Sequence, residues 1–232
     1  MPRLAIPTYF PPISRADEDG LLMIGGELSQ ERLVTAYKSG VFPWPIVDGN
    51  VEVLSWWAPD PRAIVELDDL HVSSRLKRRM RGGQFHVTIN QDFEGVVKGC
   101  AEPRDDEVGT WITRQLIQAY SHLHFEGLAH SVEVWSDSKL VGGLYGVAIG
   151  GFFAGESMFH RTTDASKVAL VHLVNHLKSR GFVLFDIQQP SPHMMRMGAS
   201  EIPRREFLAR LKRAIKLPVS FDEATTGAMS HR

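Results

Sequence analysis

Glu156 stands inside GGFFAGESMFH, Gly150 to His160, where Phe152, Phe153, Met158 and Phe159 otherwise read as a buried strand. An unpaired carboxylate in such a strand costs several kcal/mol or takes up a proton, so Glu156 must meet something. Farther along, Asp186 and Gln188 lie two apart in the apolar strand FVLFDIQQP. Strand alternation points them to one face, at the C-terminal end where open sheets place ligand sites. Two polar residues on one strand face, with Glu156 near the end of another strand, describe a small polar constellation in an apolar cleft.

Other chemistries fit less well. Gly155-Glu156-Ser157-Met158-Phe159 starts like the serine-hydrolase pattern G-x-S-x-G but lacks the second glycine, and its context is a strand running into a loop. Cys100, between Gly99 and Ala101 at a helix end, reads as a small buried cysteine rather than a nucleophile. His172 and His176 have the spacing of helical metal ligands, yet Leu173 stands where a zinc peptidase needs Glu, and no metal is expected. No nucleotide-binding glycine pattern occurs; Gly142, Gly143 and Gly146 fall within a strand and suit a bulge or a close backbone approach. Arg75, Lys77, Arg78, Arg79 and Arg81 crowd two helical turns above a thin stripe of Val72, Leu76 and Met80. That pattern is either a solvated helix face or a phosphate-binding one. Trp44, Trp56, Trp57 and Trp111 are candidates for base stacking, worth ~1–3 kcal/mol per base, with burial in the core as the default for each.

These residues need elements to hold them. The chain has 232 residues, 43% hydrophobic and 23% charged, enough for one large domain or a medium one plus a small one. No apolar run approaches the ~20 residues that span a bilayer. The opening MPRLAIPTYFPPIS has no apolar core of a secretory signal. A single cysteine excludes an intrachain disulfide and suits a reducing compartment, most simply the cytoplasm. A net charge of −1 excludes a bulk polycation, so nucleic-acid binding requires a local patch. Residues 1–62 are rich in proline and tryptophan. They hold one helix, capped by Ser29 and ended by Gly40, and then GVFPWPIVDGNVEVLSWWAPDPRA, which reads as an ordered rigid loop. A boundary near Pro61 separates them from residues 63–232. There the pattern gives strand PRAIVEL, helix SSRLKRRMRGG, strand FHVTIN and helices QDFEGVVKGCAE and TWITRQLIQAYSHLHFEG. Three strands follow, HSVEVWS, KLVGGLYGVAIG and GFFAGESMFH, with Gly150-Gly151 as a hairpin turn between the last two. A helix (DASKVALVHLVNHLKSRG), strand FVLFDIQ, the short helical SPHMMRMG, helix PRREFLARLKRAI and a weakly ordered tail after Pro218 complete the chain. Strands that meander and then alternate with helices indicate an α+β fold with a mixed sheet.

The stretches GGELSQERLVTAYKSGVFPW, WWAPDPRA, VTIN, GTWITR, HSVEVW, LVGGLYGVA, GESMF and GASEIPRR, in this order, resemble the leucyl/phenylalanyl-tRNA–protein transferase family over nearly the whole chain. The resemblance implies a bacterial cytoplasmic enzyme; a monomer and no cofactor are expected. It would move Leu, Phe or Met from aminoacyl-tRNA to the N-terminal Arg or Lys of a protein and so mark that protein for N-degron degradation. It also implies a small N-terminal domain (1–62) and a larger acetyltransferase-like (GNAT-like) domain (63–232). By resemblance, Gln188 accepts a hydrogen bond from the attacking amine, Asp186 polarises and holds that group, and Glu156 faces the cationic acceptor residue. Trp44 and Trp111 hold the 3′-terminal adenosine with help from Tyr37 and Tyr120. Leu144, Phe153, Gly155, Ser157 and Phe185 line the pocket for the transferred side chain, and Arg75, Lys77, Arg78, Arg79 and Arg81 grip acceptor-stem phosphates. Departures at Ser191-Pro192-His193, Leu144 and Phe185 bear on amino-acid preference more than on the reaction. Two rivals remain. A small-molecule N-acetyltransferase needs a glycine-containing pyrophosphate loop where this chain has HRTTDASK. An RNA-binding module would make Asp186, Gln188 and Glu156 dispensable.

Overall fold

A computed structural model describes residues 10–48, 51–103 and 110–222; the expectation drawn from residues 1–9 and the tail residues 223–232 lie outside it. The proline- and tryptophan-rich stretch is not one rigid loop but a set of very short strands. β1 (Leu21–Ile24), β2 (Phe42–Pro43) and β5 (Ser55–Trp57) form a three-stranded antiparallel sheet in the order β1-β5-β2, and β3 (Ile46–Asp48) pairs with β4 (Val51–Val53). Strands of two to four residues are too short to display alternation, and Pro43 is tolerated because β2 is an edge strand. Between β1 and β2 runs α1 (Gln30–Lys38), its first turn capped by the Ser29 hydroxyl, which accepts the Arg32 N–H.

The large sheet begins at β6 (Arg62–Val65) and continues with β7 (His86–Ile89), β8 (Ala129–Ser136), β9 (Lys139–Ile149), β10 (Phe152–His160), β11 (Leu184–Gln188) and β12 (Ala199–Ile202), in the order β12-β6-β11-β10-β9-β8-β7. The strand β12, ASEI, carries no clear period and is not evident in the sequence. All neighbours are antiparallel except β10 and β11, joined through the crossover helix α5 (Ala165–Ser179), so the sheet is mixed. The other helices are α2 (Ser74–Arg81), capped by Ser73, α3 (Phe93–Ala101), α4 (Arg114–Phe125), α6 (Pro192–Arg196) and α7 (Arg204–Ala214).

Successive strand residues feed two cores. On one face Tyr145, Phe152 and Ala154 pack with Leu33, Tyr37, Trp56, Tyr120 and Phe207, and this core runs without interruption from α1 to α7, across position 62. On the other face Leu144, Phe153 and Phe185 pack with Leu76 and with Leu170 and Leu177 of α5. The segment after Pro218 departs from the expectation of weak order: Phe221 is 2% exposed and packs on this second face. Among the described residues no helix is long and apolar enough to cross a membrane.

Candidate functional site

The parallel strands β10 and β11 pair only over Phe152–Ala154 and Leu184–Asp186. Beyond that point each strand slips its register against its outer neighbour. Gly155 and Ser157 face Gly146 and Tyr145, leaving Glu156 as the extra residue of a bulge; Asp186 and Gln188 face Ile64 and Ala63, leaving Ile187 extra. Bulges bend a strand and redirect its side chains, so two of them on adjacent strands open the sheet where polar groups stand. The bulge resolves the problem of an acid in an apolar strand, because Glu156 turns toward the first core rather than sitting in the pleat. Gln188 has φ +60°, and Gln189 N–H donates to the Ile187 carbonyl at 2.7 Å around it. A glutamine held in the left-handed region is strained and persists only where its surroundings fix it.

A continuous polar chain does the fixing. The Arg62 guanidinium grips Asp186 with two parallel hydrogen bonds, Nε to Oδ1 at 2.8 Å and Nη2 to Oδ2 at 2.7 Å, and donates from Nη1 to the Gly40 carbonyl at 3.0 Å. The rings of Phe42 and Phe207 flank the guanidinium, 4.8 and 4.6 Å from its carbon. Asp186 Oδ1 also accepts the Gln188 N–H at 2.9 Å. The Gln188 side-chain amide donates to Glu156 Oε1 at 3.1 Å, and Tyr120 donates to Glu156 Oε2 at 2.7 Å. Since that bond uses the Tyr120 proton, Tyr37, 2.5 Å from the Tyr120 oxygen, is the donor of their pair.

Burial pushes the Glu156 carboxyl up to about 7; the phenols of Tyr120 and Tyr37 oppose the rise, nearby Asp186 adds to it, and Arg62 opposes it. Part of the Glu156 surface still meets solvent, but protein surrounds its carboxylate closely enough for desolvation to dominate. The phenols of Tyr37, Tyr120 and Tyr145 are pushed well above the ordinary range, by burial first and then by the Glu156 charge.

Asp186 is fully buried, with both oxygens engaged. It holds Arg62 and the Gln188 backbone N–H, so in this structure its contacts run to Gln188 and Arg62. Arg62, also buried, lies within the stretch WWAPDPRA, but nothing local marks it as a partner of Asp186. Its partner lies 124 residues away, and only the pairing of β6 with β11 brings them together.

Of the expected aromatics, Trp44 and Trp111 are half-buried neighbours, ring centroids 5.7 Å apart, and Phe42 connects Trp44 (6.4 Å) to the Arg62 guanidinium. Trp56 belongs to the core, fully buried, with its indole N–H on the Gly25 carbonyl, and Trp57 donates to the Trp44 carbonyl at 3.0 Å. Leu144, Phe153 and Phe185 lie buried on the opposite face of the same split, the rings of Phe153 and Phe185 edge to face at 5.7 Å. Gly155 lets Phe185 pass: a Cβ there would lie 2.9 Å from the Phe185 ring. Ser157 is half-buried beside them. The basic helix α2 packs its Leu76 into that second face and is not part of the polar chain. Arg75, Lys77, Arg78 and Arg81 are exposed, whereas Arg79 pairs with Asp164 at 3.6 Å and lies over the Phe85 ring. His176, weighed as a metal ligand, instead bonds through Nε2 to the Phe221 carbonyl at 2.8 Å.

A family model described as leucyl/phenylalanyl-tRNA protein transferase matches residues 64–212, and the model of that family's N-terminal domain matches residues 26–60. A leucyl/phenylalanyl-tRNA–protein transferase from Oleidesulfovibrio alaskensis is 51% identical over 216 residues, covering 90% of this chain and 86% of its own. One from Pseudomonas putida is 51% identical over 213 residues, covering 91% and 93%. A GCN5-related N-acetyltransferase from Kribbella flavida matches more distantly, at 12% identity and a TM-score of 0.39 over 62% of this chain and 55% of that one.

Proposed function

Because the chain belongs to the leucyl/phenylalanyl-tRNA–protein transferase family, we propose that it moves a leucyl or phenylalanyl group from tRNA to a protein, forming a peptide bond. The observation that supports this reading is the polar chain at the split of β10 and β11, where the Gln188 side-chain amide donates to a Glu156 that is still partly exposed. The attacking α-amine, with an ordinary pKa near 8, must be placed against an ester carbon that is already activated. Orientation alone supplies up to ~7–11 kcal/mol of such a barrier. Gln188 Oε1 accepts a hydrogen bond from the amine while its NH2 remains on Glu156; a neutral amide is a poor base, so Gln188 orients. As the C–N bond forms, the ester C–O bond breaks, and the ribose hydroxyl of the tRNA leaves bearing the proton that the amine loses. Asp186 and Arg62 fix the Gln188 backbone. Glu156 pairs with the cationic side chain of an acceptor whose first residue is Arg or Lys, and that cation favours its ionised form.

Trp44 and Trp111 hold the terminal adenosine; Tyr37 and Tyr120, expected to help them, are fully buried and serve Glu156 instead. Leu144, Phe153, Gly155, Ser157 and Phe185 take the Leu, Phe or Met side chain, and β-branched Ile and Val, stiff next to the backbone, fit badly. Arg75, Lys77, Arg78 and Arg81 bind phosphates, which carry no sequence code and so admit more than one tRNA. Residues 1–62 serve as the small domain and 63–232 as the larger one, sharing the core that runs across position 62, and the enzyme works as a cytoplasmic monomer that marks its acceptors for N-degron degradation.

The test supplies tRNA charged with labelled Leu, Phe, Met, Ile or Val and a peptide beginning with Arg. Label from Leu, Phe or Met but not from Ile or Val is expected. No transfer from any donor, with tRNA binding intact, would favour the binding module. Glu156→Gln should raise KM for an Arg-initiated peptide by about tenfold, on the scale of a lost charge-assisted contact. An equal change for an Ala-initiated peptide would remove Glu156 as the acceptor reader.

A further inference from the structure

The segment that follows α7 crosses the second face of the sheet and is tied down at each step. Arg180 donates from Nε to the Ser220 carbonyl at 3.0 Å and from Nη2 to the Asp222 carbonyl at 2.6 Å; His176 bonds to the Phe221 carbonyl; Asn90 donates to Asp222 Oδ1 at 2.9 Å. Between these ties Phe221 turns inward and is 2% exposed. Its ring stacks on His130 at 4.1 Å and on Phe153 at 5.6 Å, with interplanar angles of 14° and 25°. Phe153 in turn meets Phe185 edge to face. Three aromatic rings thus run in series from the strap, residues 218–222, to the position of Gly155.

We propose that this strap is the back wall of the pocket for the transferred side chain: Phe221 sets where Phe153 lies, hence how deep the pocket is and which aminoacyl group it accepts. The inference rests on the reading that Phe153 lines that pocket. Phe221 touches no substrate; it is a positioning residue acting through Phe153. Close-packed interiors transmit such displacements because neighbouring rings have no slack. Shrinking the ring at 221 lets the Phe153 ring settle back, which deepens the pocket and favours the longer phenylalanyl side chain over leucyl. Breaking the Arg180 ties without touching the ring should act in the same direction and more weakly.

The experiment measures kcat/KM with leucyl-, phenylalanyl- and methionyl-tRNA for the parent, Phe221→Leu and Arg180→Ala, with melting temperature and tRNA affinity measured alongside. Phe221→Leu is chosen over Phe221→Ala because it keeps most of the buried volume and so preserves the fold. The phenylalanyl-to-leucyl ratio should rise at least about threefold in Phe221→Leu, the low end of what a methylene-sized change in an apolar pocket discriminates, with unchanged tRNA affinity. A uniform loss across all three donors, at a constant ratio, would make Phe221 merely structural and overturn the proposal. Phe153→Leu separates the two levels. If it shifts the ratio while Phe221→Leu does not, the strap inference alone falls; if neither shifts it, the pocket reading falls with it.

Discussion

The two faces of the split between β10 and β11 are built on opposite principles. The first face is a ladder of specific polar contacts, Arg62 to Asp186 to Gln188 to Glu156 to Tyr120 to Tyr37, with a positive-φ residue in its middle. The second face is aromatic and aliphatic: Leu144, Phe153, Phe185 and the Phe221 strap, held mainly by shape. Buried polar networks fail abruptly, because removing one partner strands the others in a low dielectric. Apolar packing fails by degrees, because each lost methylene removes a graded amount of contact. The polar face therefore demands residue identity, while the apolar face tolerates exchange.

The strongest attempt to break the contrast is at Arg62. Arg62→Met leaves the Asp186 carboxylate buried and unpaired, which should cost ~3–5 kcal/mol. For a chain of this length that lowers the melting temperature by roughly 6–20 °C, readable by calorimetry. Adding Asp186→Leu should restore most of the stability and none of the transfer, since the Gln188 N–H then has no acceptor and its strained turn no anchor. A double variant as active as the parent would show that Gln188 needs neither residue, and the polar face would then be no more exacting than the apolar one.

A smaller effect sharpens the same point. Tyr120→Phe removes the hydrogen bond that most opposes the rise of the Glu156 carboxyl, so that carboxyl moves above about 7. Glu156 is then protonated over more of the neutral range, and the KM for an Arg-initiated peptide should rise about tenfold near neutrality, with its acid limb displaced to higher pH. The leucyl-to-phenylalanyl ratio should stay fixed, because the phenol belongs to the other face. A KM profile that does not move would detach Tyr120 from Glu156.

How much of this the sequence discloses depends on which face is asked. Glu156, Asp186 and Gln188 stand out because polar residues in apolar strands violate a local pattern, and that violation is visible within ten residues. The helices around the sheet are legible for the same reason, through caps such as Ser29 and Ser73 and the 3.6-residue period. Arg62 is not legible. An arginine at the start of a strand is unremarkable until the pairing of β6 with β11 sets it opposite Asp186, and no local rule encodes that register. The strands β1, β2, β5 and β12 are too short to show a period. The bulges at Glu156 and Ile187 leave no local mark, and the one at Ile187 breaks the alternation that would have set Asp186 and Gln188 on one face. Phe221 looks like an isolated phenylalanine in a polar tail, and only its burial among His130, His176 and Phe153 reveals a wall.

The smallest effect tests both faces at once, because each buries a titratable group and the two are shifted in opposite senses. The Glu156 carboxyl is raised from 4.5 to about 7, so between these values the folded chain keeps a proton that the unfolded chain has released. Its contribution to stability therefore falls as pH rises through that window. His130 is lowered from 6.5 to about 4 by burial, with Asp222 opposing the shift, and its Nδ1 accepts from Asn90 at 3.0 Å as a neutral imidazole does. Between pH 4 and 6.5 the unfolded chain holds the extra proton, so this contribution rises with pH. Over the shared range of about 4.5 to 6.5 the two slopes oppose each other, and their sum in the parent is shallow. Glu156→Gln deletes the falling component and should leave a melting temperature that climbs with pH across that range more steeply than in the parent. His130→Phe, which keeps an aromatic ring stacked on Phe221, deletes the rising component and should tilt the profile the other way. Parallel profiles in all three proteins would mean that neither group is as enclosed as its neighbours make it, and the two faces would lose their opposed electrostatic character.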